Sequence, residues 1–190
     1  MPIDPTSTGS VEMRDLVGLG GISQLASVTL GADGIIDTPV PGGYSDLILV
    51  LMARCSVAGV NDSPVIRFNN DSGGNYTAMR SIVDGTTPSL GGGITTSATG
   101  CILTRFPANG ALANFYGHGQ LYIPGYTNTG WVKLLTGFGG TADAVSTTGV
   151  HVLGFANVWN STAAINRIQV MNGSFGNLTV GSQLRVYGLV

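Results

Sequence analysis

From Ile22 onward, apolar and polar positions alternate in short runs, and Gly, Pro, Asn and Asp punctuate the runs at regular intervals. Side chains that alternate with period two belong to β-strands with one buried face, and turn residues between such runs predict an all-β domain. Ala113–Ile123 shows the pattern most fully. Ala113, Phe115, Gly117, Gly119, Leu121 and Ile123 share one face, with Asn114, Tyr116, His118, Gln120 and Tyr122 on the other. In the last run Leu184, Val186 and Gly188 oppose Arg185 and Tyr187, so the chain is expected to end on a strand inside its sheet. Predicted strands are Ser23–Leu30, Tyr44–Ser56, Val65–Asn69, Tyr76–Val83, Gly100–Arg105, Ala113–Ile123, Trp131–Gly137, Val150–Trp159, Ala164–Asn172 and Gln183–Leu189. No long amphipathic helix lies between them, which argues against a parallel α/β sheet and for antiparallel sheets packed face to face.

The connections carry turn chemistry. Pro41-Gly42-Gly43 and Asp71-Ser72-Gly73-Gly74 supply conformations that other residues resist. Asp84 to Thr99 is glycine-rich and almost uncharged, and reads as an exposed loop or a flexible edge. The start, Met1–Gly21, opens on Pro2, Pro5 and a Ser/Thr/Gly cluster, and Val11–Leu19 is expected to form a helical turn or two before Gly20-Gly21. The predicted organisation is an arm over 1–21 and a β-sandwich over 22–190.

Composition sharpens this picture. Of the 190 residues 43% are hydrophobic and only 9% charged, with a net charge of −2. Such a chain lacks the basic footprint that grips a phosphate backbone, so no nucleic-acid partner is expected. Surfaces of free monomers normally carry interspersed charge, and a scarcity of it points to a subunit covered by its neighbours. The 30 glycines have no collagen-like period and imply turns, bulges and close strand approaches. The longest apolar run, Leu47–Ala53, is far below the roughly 18 residues of a membrane span, and the start lacks a basic-then-apolar leader. Synthesis in a cytoplasm and no membrane partner are the corresponding expectations.

Candidate chemistry is sparse. His118 and His151 are the only histidines, neither lies in a nucleophile elbow, and both are assigned a surface or partner-contact role ahead of catalysis. Asp62, Asp71 and Asp84 stand in turn contexts, where Asp serves backbone bonding. Gly18–Gly21 and Gly91–Gly93 lack the strand-before, helix-after setting of a phosphate loop. Cys55 and Cys101 sit in apolar or small-residue runs, the setting of buried free thiols, with a disulfide as the alternative. Neither cofactor nor metal is expected, and the chain is read as a non-enzyme. The polar and aromatic face with Tyr116, His118 and Tyr122 is either an ordinary solvated sheet face or a contact surface for subunits or sugars. Val11, Leu16, Val17 and Leu19 of the arm are the other candidate partner contacts.

Several word-like stretches resemble β-sandwich proteins of tailed-bacteriophage structural-gene regions. They are Tyr44–Ser56 (YSDLILVLMARCS), Val65–Asn75 (VIRFNNDSGGN, near I-R-F-N-x-D-x-G-x-N), Tyr116–Thr129 (with YIPGYTNT near I-P-x-Y-x-N-T), Ser161–Ile165 (STAAI) and the terminal G-S-x-x-x-x-Y-G-L. Asn160 stands where similar proteins often carry Arg, and Met1–Gly43 matches less well. The resemblance implies a virion structural protein with a jelly-roll-like antiparallel sandwich and no catalytic residues. The expected function is decoration or cementing of the capsid exterior, as a homotrimer bound to the major capsid protein or other virion proteins. The alternative is a tail-fibre, tail-tip or baseplate module that binds a host receptor.

Overall fold

The computed structural model describes residues 21–84, 90–103, 105–142 and 150–190, and none of these is helical. Fourteen strands are formed: β1 (Ile22–Thr29), β2 (Ile36–Pro39), β3 (Asp46–Ala53), β4 (Asn61–Asp62), β5 (Val65–Phe68), β6 (Tyr76–Asp84), β7 (Leu90–Ala98), β8 (Cys101–Ile102), β9 (Phe106–Pro107), β10 (Gly117–Ile123), β11 (Lys133–Ala142), β12 (Val150–Trp159), β13 (Arg167–Met171) and β14 (Gln183–Leu189). An eight-stranded sheet runs β1-β14-β3-β10-β11-β12-β6-β7, a four-stranded sheet β2-β13-β5-β8, and β4 pairs with β9. Paired strands are antiparallel throughout. The fold is thus an all-β antiparallel sandwich, as the alternation predicts. The arm, with its expected helical turns and Val11, Leu16, Val17 and Leu19, lies outside the described residues.

One continuous core fills the space between the layers. Leu47, Leu49 and Leu51 of β3, Leu121 of β10, Leu153 of β12 and Leu184 and Val186 of β14 meet Ile36, Ile66, Phe68, Ile168 and Val170 of the smaller sheet. Trp159 closes one end, its ring 5.5 Å from Phe68 and stacked at 6.2 Å on Tyr76. As the terminal alternation predicts, β14 lies inside the large sheet between β1 and β3, with Arg185 exposed.

Several boundaries differ from the sequence reading. The Ala113–Ile123 run becomes a strand only at Gly117, because Asn114 takes a left-handed conformation (φ 62°) and Ala113 and Phe115 are exposed. Arg54, buried beneath this segment, donates to the carbonyls of Ala111, Leu112 and Phe115 and so fixes it as a loop. β11 continues to Ala142, beyond the expected Gly137. It crosses β10 so closely that a Cβ at Gly137 or Gly139 would collide with the Gln120 or His118 carbonyl. Within the glycine-rich Asp84–Thr99 stretch, Leu90–Ala98 form β7, a paired strand at the edge of the large sheet rather than a loop.

Candidate functional site

The face of the large sheet turned away from the smaller sheets is built by strand register. Gln120 of β10 lies opposite Phe138 of β11, and Phe138 opposite Gly154 of β12. Val152 of β12 lies opposite Val83 of β6, and Ala156 opposite Met79, which in turn faces Ile94 of β7. This outer face therefore continues across five strands, and β3 extends it with Val50 and Met52. Phe138, Val152 and Ile94 are 61%, 60% and 68% exposed, and Met79, Val83, Leu134 and Val150 are also exposed. Exposed apolar side chains scattered singly are ordinary, but a contiguous set on one sheet face marks an interaction surface.

His118 and Tyr122 stand on this face, as the alternation predicts. The Tyr122 hydroxyl donates to Asp46 at 2.6 Å, and this bond to a carboxylate pushes the Tyr122 pKa up. The other Asp46 oxygen accepts from the Gly125 amide, so the single acid at this rim is engaged. The His118 ring lies over Gly140, its cross-strand partner, in space that a Cβ there would occupy. Tyr116 is not brought to the same place. It precedes the strand, is half-buried, and its hydroxyl donates to the Val180 carbonyl at 2.7 Å, which ties a loop. Beside Phe138 the face sinks into a hollow of about 440 Å³, lined by Ile48, Gln120, Tyr122, Thr136, Gly137 and Leu189 among others. Composition hinted at a covered surface, but nothing in the sequence located Phe138 and Val152 on one.

A second recess, of about 450 Å³, lies where the small sheet ends short of β6 and β7. Arg80, Asp62, Thr95, Ser97, Ser174 and Phe175 line it. Asp62 accepts from the amides of Ser63 and Gly173, so its carboxylate serves the backbone. Arg67 lies 4.3 Å over the Phe175 ring, an arrangement favoured by the ring quadrupole.

The residues considered for catalysis are dispersed. His151 corrects the surface reading. It is buried on the inner side of β12, in the alternation with Leu153, Phe155, Asn157 and Trp159, and its Nε2 lies 3.4 Å from Arg105 Nη1. Asp71 is a structural joint, accepting from the Trp159 indole at 2.7 Å, from Asn75 and from the Gly73 amide. Burial raises its pKa, and these bonds outweigh burial, leaving a net lowering. Asp84 ends β6 instead of occupying a turn. Cys55 and Cys101 are free and buried, and burial pushes the Cys55 thiol up to about 12 and Cys101 in the same direction. Among the described residues no cluster of three His, Cys, Asp or Glu is placed to hold a metal ion.

Residues in the resemblance-bearing stretches serve as struts. Asn69, in a left-handed conformation (φ 54°), donates to the Ala164 carbonyl and accepts from the Asn166 and Arg167 amides, joining the turn that links β5 to β6 to the segment around STAAI. Tyr126 is fully buried and donates to the Pro41 carbonyl. Ser182 exchanges hydrogen bonds with the Arg54 backbone. A buried cation that the sequence did not single out, Lys133, donates to the carbonyls of Asn128, Trp131 and Thr162 at 2.5, 3.1 and 3.2 Å, and burial lowers its pKa. No protein-family model, curated protein or solved structure matches this chain.

Proposed function

We propose that this chain is a non-enzymatic structural protein of a tailed-bacteriophage virion, a jelly-roll-like subunit that decorates or cements the capsid exterior. The observation that carries the assembly part is the uncharged apolar outer face around Phe138 and Val152, which a protein working alone in water has no reason to expose. The virion part is supported by the ordered series of sequence stretches from Tyr44 to Leu189. In this reading the self-associating sandwich is the body, and the arm, through Val11, Leu16, Val17 and Leu19, reaches the major capsid protein. Holding adjacent capsomers together works by mass action: a ligand that binds only the assembled shell stabilises it.

The test is to mix undecorated capsids with the full chain and with residues 22–190, then measure co-sedimentation and the heat resistance of the particles. Binding and heat protection by the full chain, lost with the arm, is the expected result. Absence of binding by the full chain defeats the reading.

The recess at Arg80 favours a second reading, a tail module that binds a host receptor. Its hydroxyls, its arginine and the Phe175 ring suit a sugar unit, and its volume lies in the range of ligand pockets. Specific attachment to host cells that Arg80→Ala abolishes, without capsid binding, would select it.

A further inference from the structure

We propose that the outer face of the eight-stranded sheet docks a second copy of this chain across a two-fold axis, with Phe138 of each copy seated in the hollow of the other. The inference rests on the assembly part of the reading above and is independent of which particle the protein belongs to.

Size is the first argument. The six strands from β3 to β7, about 4.8 Å apart and about seven residues long at about 3.3 Å each, present roughly 24 by 23 Å, or about 550 Å². Two copies together would bury about 1,100 Å², which clears the roughly 1,000 Å² expected of a specific interface.

Charge is the second. On these six strands the outward positions carry no Lys or Arg, and Asp46 at the rim is taken up by Tyr122 and Gly125. The nearest cation on this face, Arg185, stands one strand beyond, on β14 opposite Val50. A second copy brings no like charges together.

Shape decides the occupant. A two-fold contact uses the same patch on both subunits, so the patch must complement itself. Phe138, 61% exposed and opposite Gly154, stands clear of its neighbours, and the hollow lined by Gln120, Tyr122 and Thr136 lies immediately beside it. A projection next to a recess on one face is what self-complementation requires. Gln120, directly across from Phe138 and part of the hollow, falls beside the axis. A trimer, by contrast, needs two different complementary patches.

The experiment uses the purified full chain without capsids. Sedimentation velocity and light scattering should give a dimer, and Phe138→Asp should halve the mass with an unchanged circular dichroism spectrum. Because both native thiols are buried, Gln120→Cys supplies the one exposed thiol, and mild oxidation should link it to itself as a covalent dimer. A wild-type monomer, a trimer, an assembly whose mass Phe138→Asp leaves unchanged, or failure of the Gln120→Cys chains to link would each overturn the inference. A monomer whose capsid binding is lost with Phe138→Asp would overturn it and leave the virion reading standing. A dimer that ignores capsids would do the reverse.

Discussion

Both faces of the eight-stranded sheet carry aliphatic side chains, and these meet opposite fates. On β3, Leu47, Leu49 and Leu51 are fully buried, while Val50 and Met52, their immediate neighbours in the chain, are 37% and 42% exposed. On β12, Leu153 is buried and Val152 lies 60% open. The inner face is covered by the smaller sheets, which run out after six strands. Nothing among the described residues covers the outer face in the same way. Ordinary antiparallel sheets with one wet side alternate cleanly between apolar and polar, and strands that are apolar on both sides belong to sheets covered on both. The contrast between the faces therefore separates what the chain completes by itself from what association must complete.

The comparison is broken most severely from the inside. Leu184→Asp or Val186→Asp places a carboxylate at a position of zero exposure on the strand between β1 and β3, at a cost of several kcal/mol, comparable to a domain's whole stability. Soluble yield and circular dichroism should show loss of the fold, while Arg185→Ala on the exposed side should stay within about 0.5 kcal/mol of wild type in urea unfolding. Arg54→Met removes the donors that hold the carbonyls of Ala111, Leu112 and Phe115, and should cost about 2–4 kcal/mol by the same measurement. Amide exchange in that loop should rise with it.

Thiol labelling sharpens the contrast without a mutation. Burial raises the pKa of Cys55, so it holds far less thiolate at pH 8 than an ordinary cysteine, and burial acts in the same direction on Cys101. Native protein should resist a thiol-specific dye, and both cysteines should react at once when it unfolds. On the outer face, Val152→Asp should leave monomer stability within about 0.5 kcal/mol and weaken self-association.

The smallest effects are those of pH. The folded-state pKa of Asp71 is lowered, so its contribution to stability is fully present above the unfolded value near 3.8 and is lost as pH falls through the folded one. Asp71→Asn should flatten that acid limb in a series of urea midpoints. Asp37 is lowered first by its hydrogen bond to Arg167 and has the same sign, but the pair is exposed and screened, so Asp37→Asn should change the limb less.

Local pattern alone determined a good deal: the all-β class, most strand positions, the polar and aromatic face of β10 with His118 and Tyr122, and the burial of Leu184 and Val186 beside an exposed Arg185. Each follows from side chains alternating across a strand and from turn residues adopting conformations others resist, which are properties of neighbours in sequence. Only the tertiary structure decided that β7 is paired and not a loop, that His151 points inward, that Arg54 and Lys133 are buried under carbonyls, and that Phe138, Val152, Met79 and Ile94 form one surface. Period two says that a strand has two faces, but where both are apolar it cannot say which is covered. That depends on which strands pair, in what register, and where the second sheet stops, and those contacts join residues far apart in the chain.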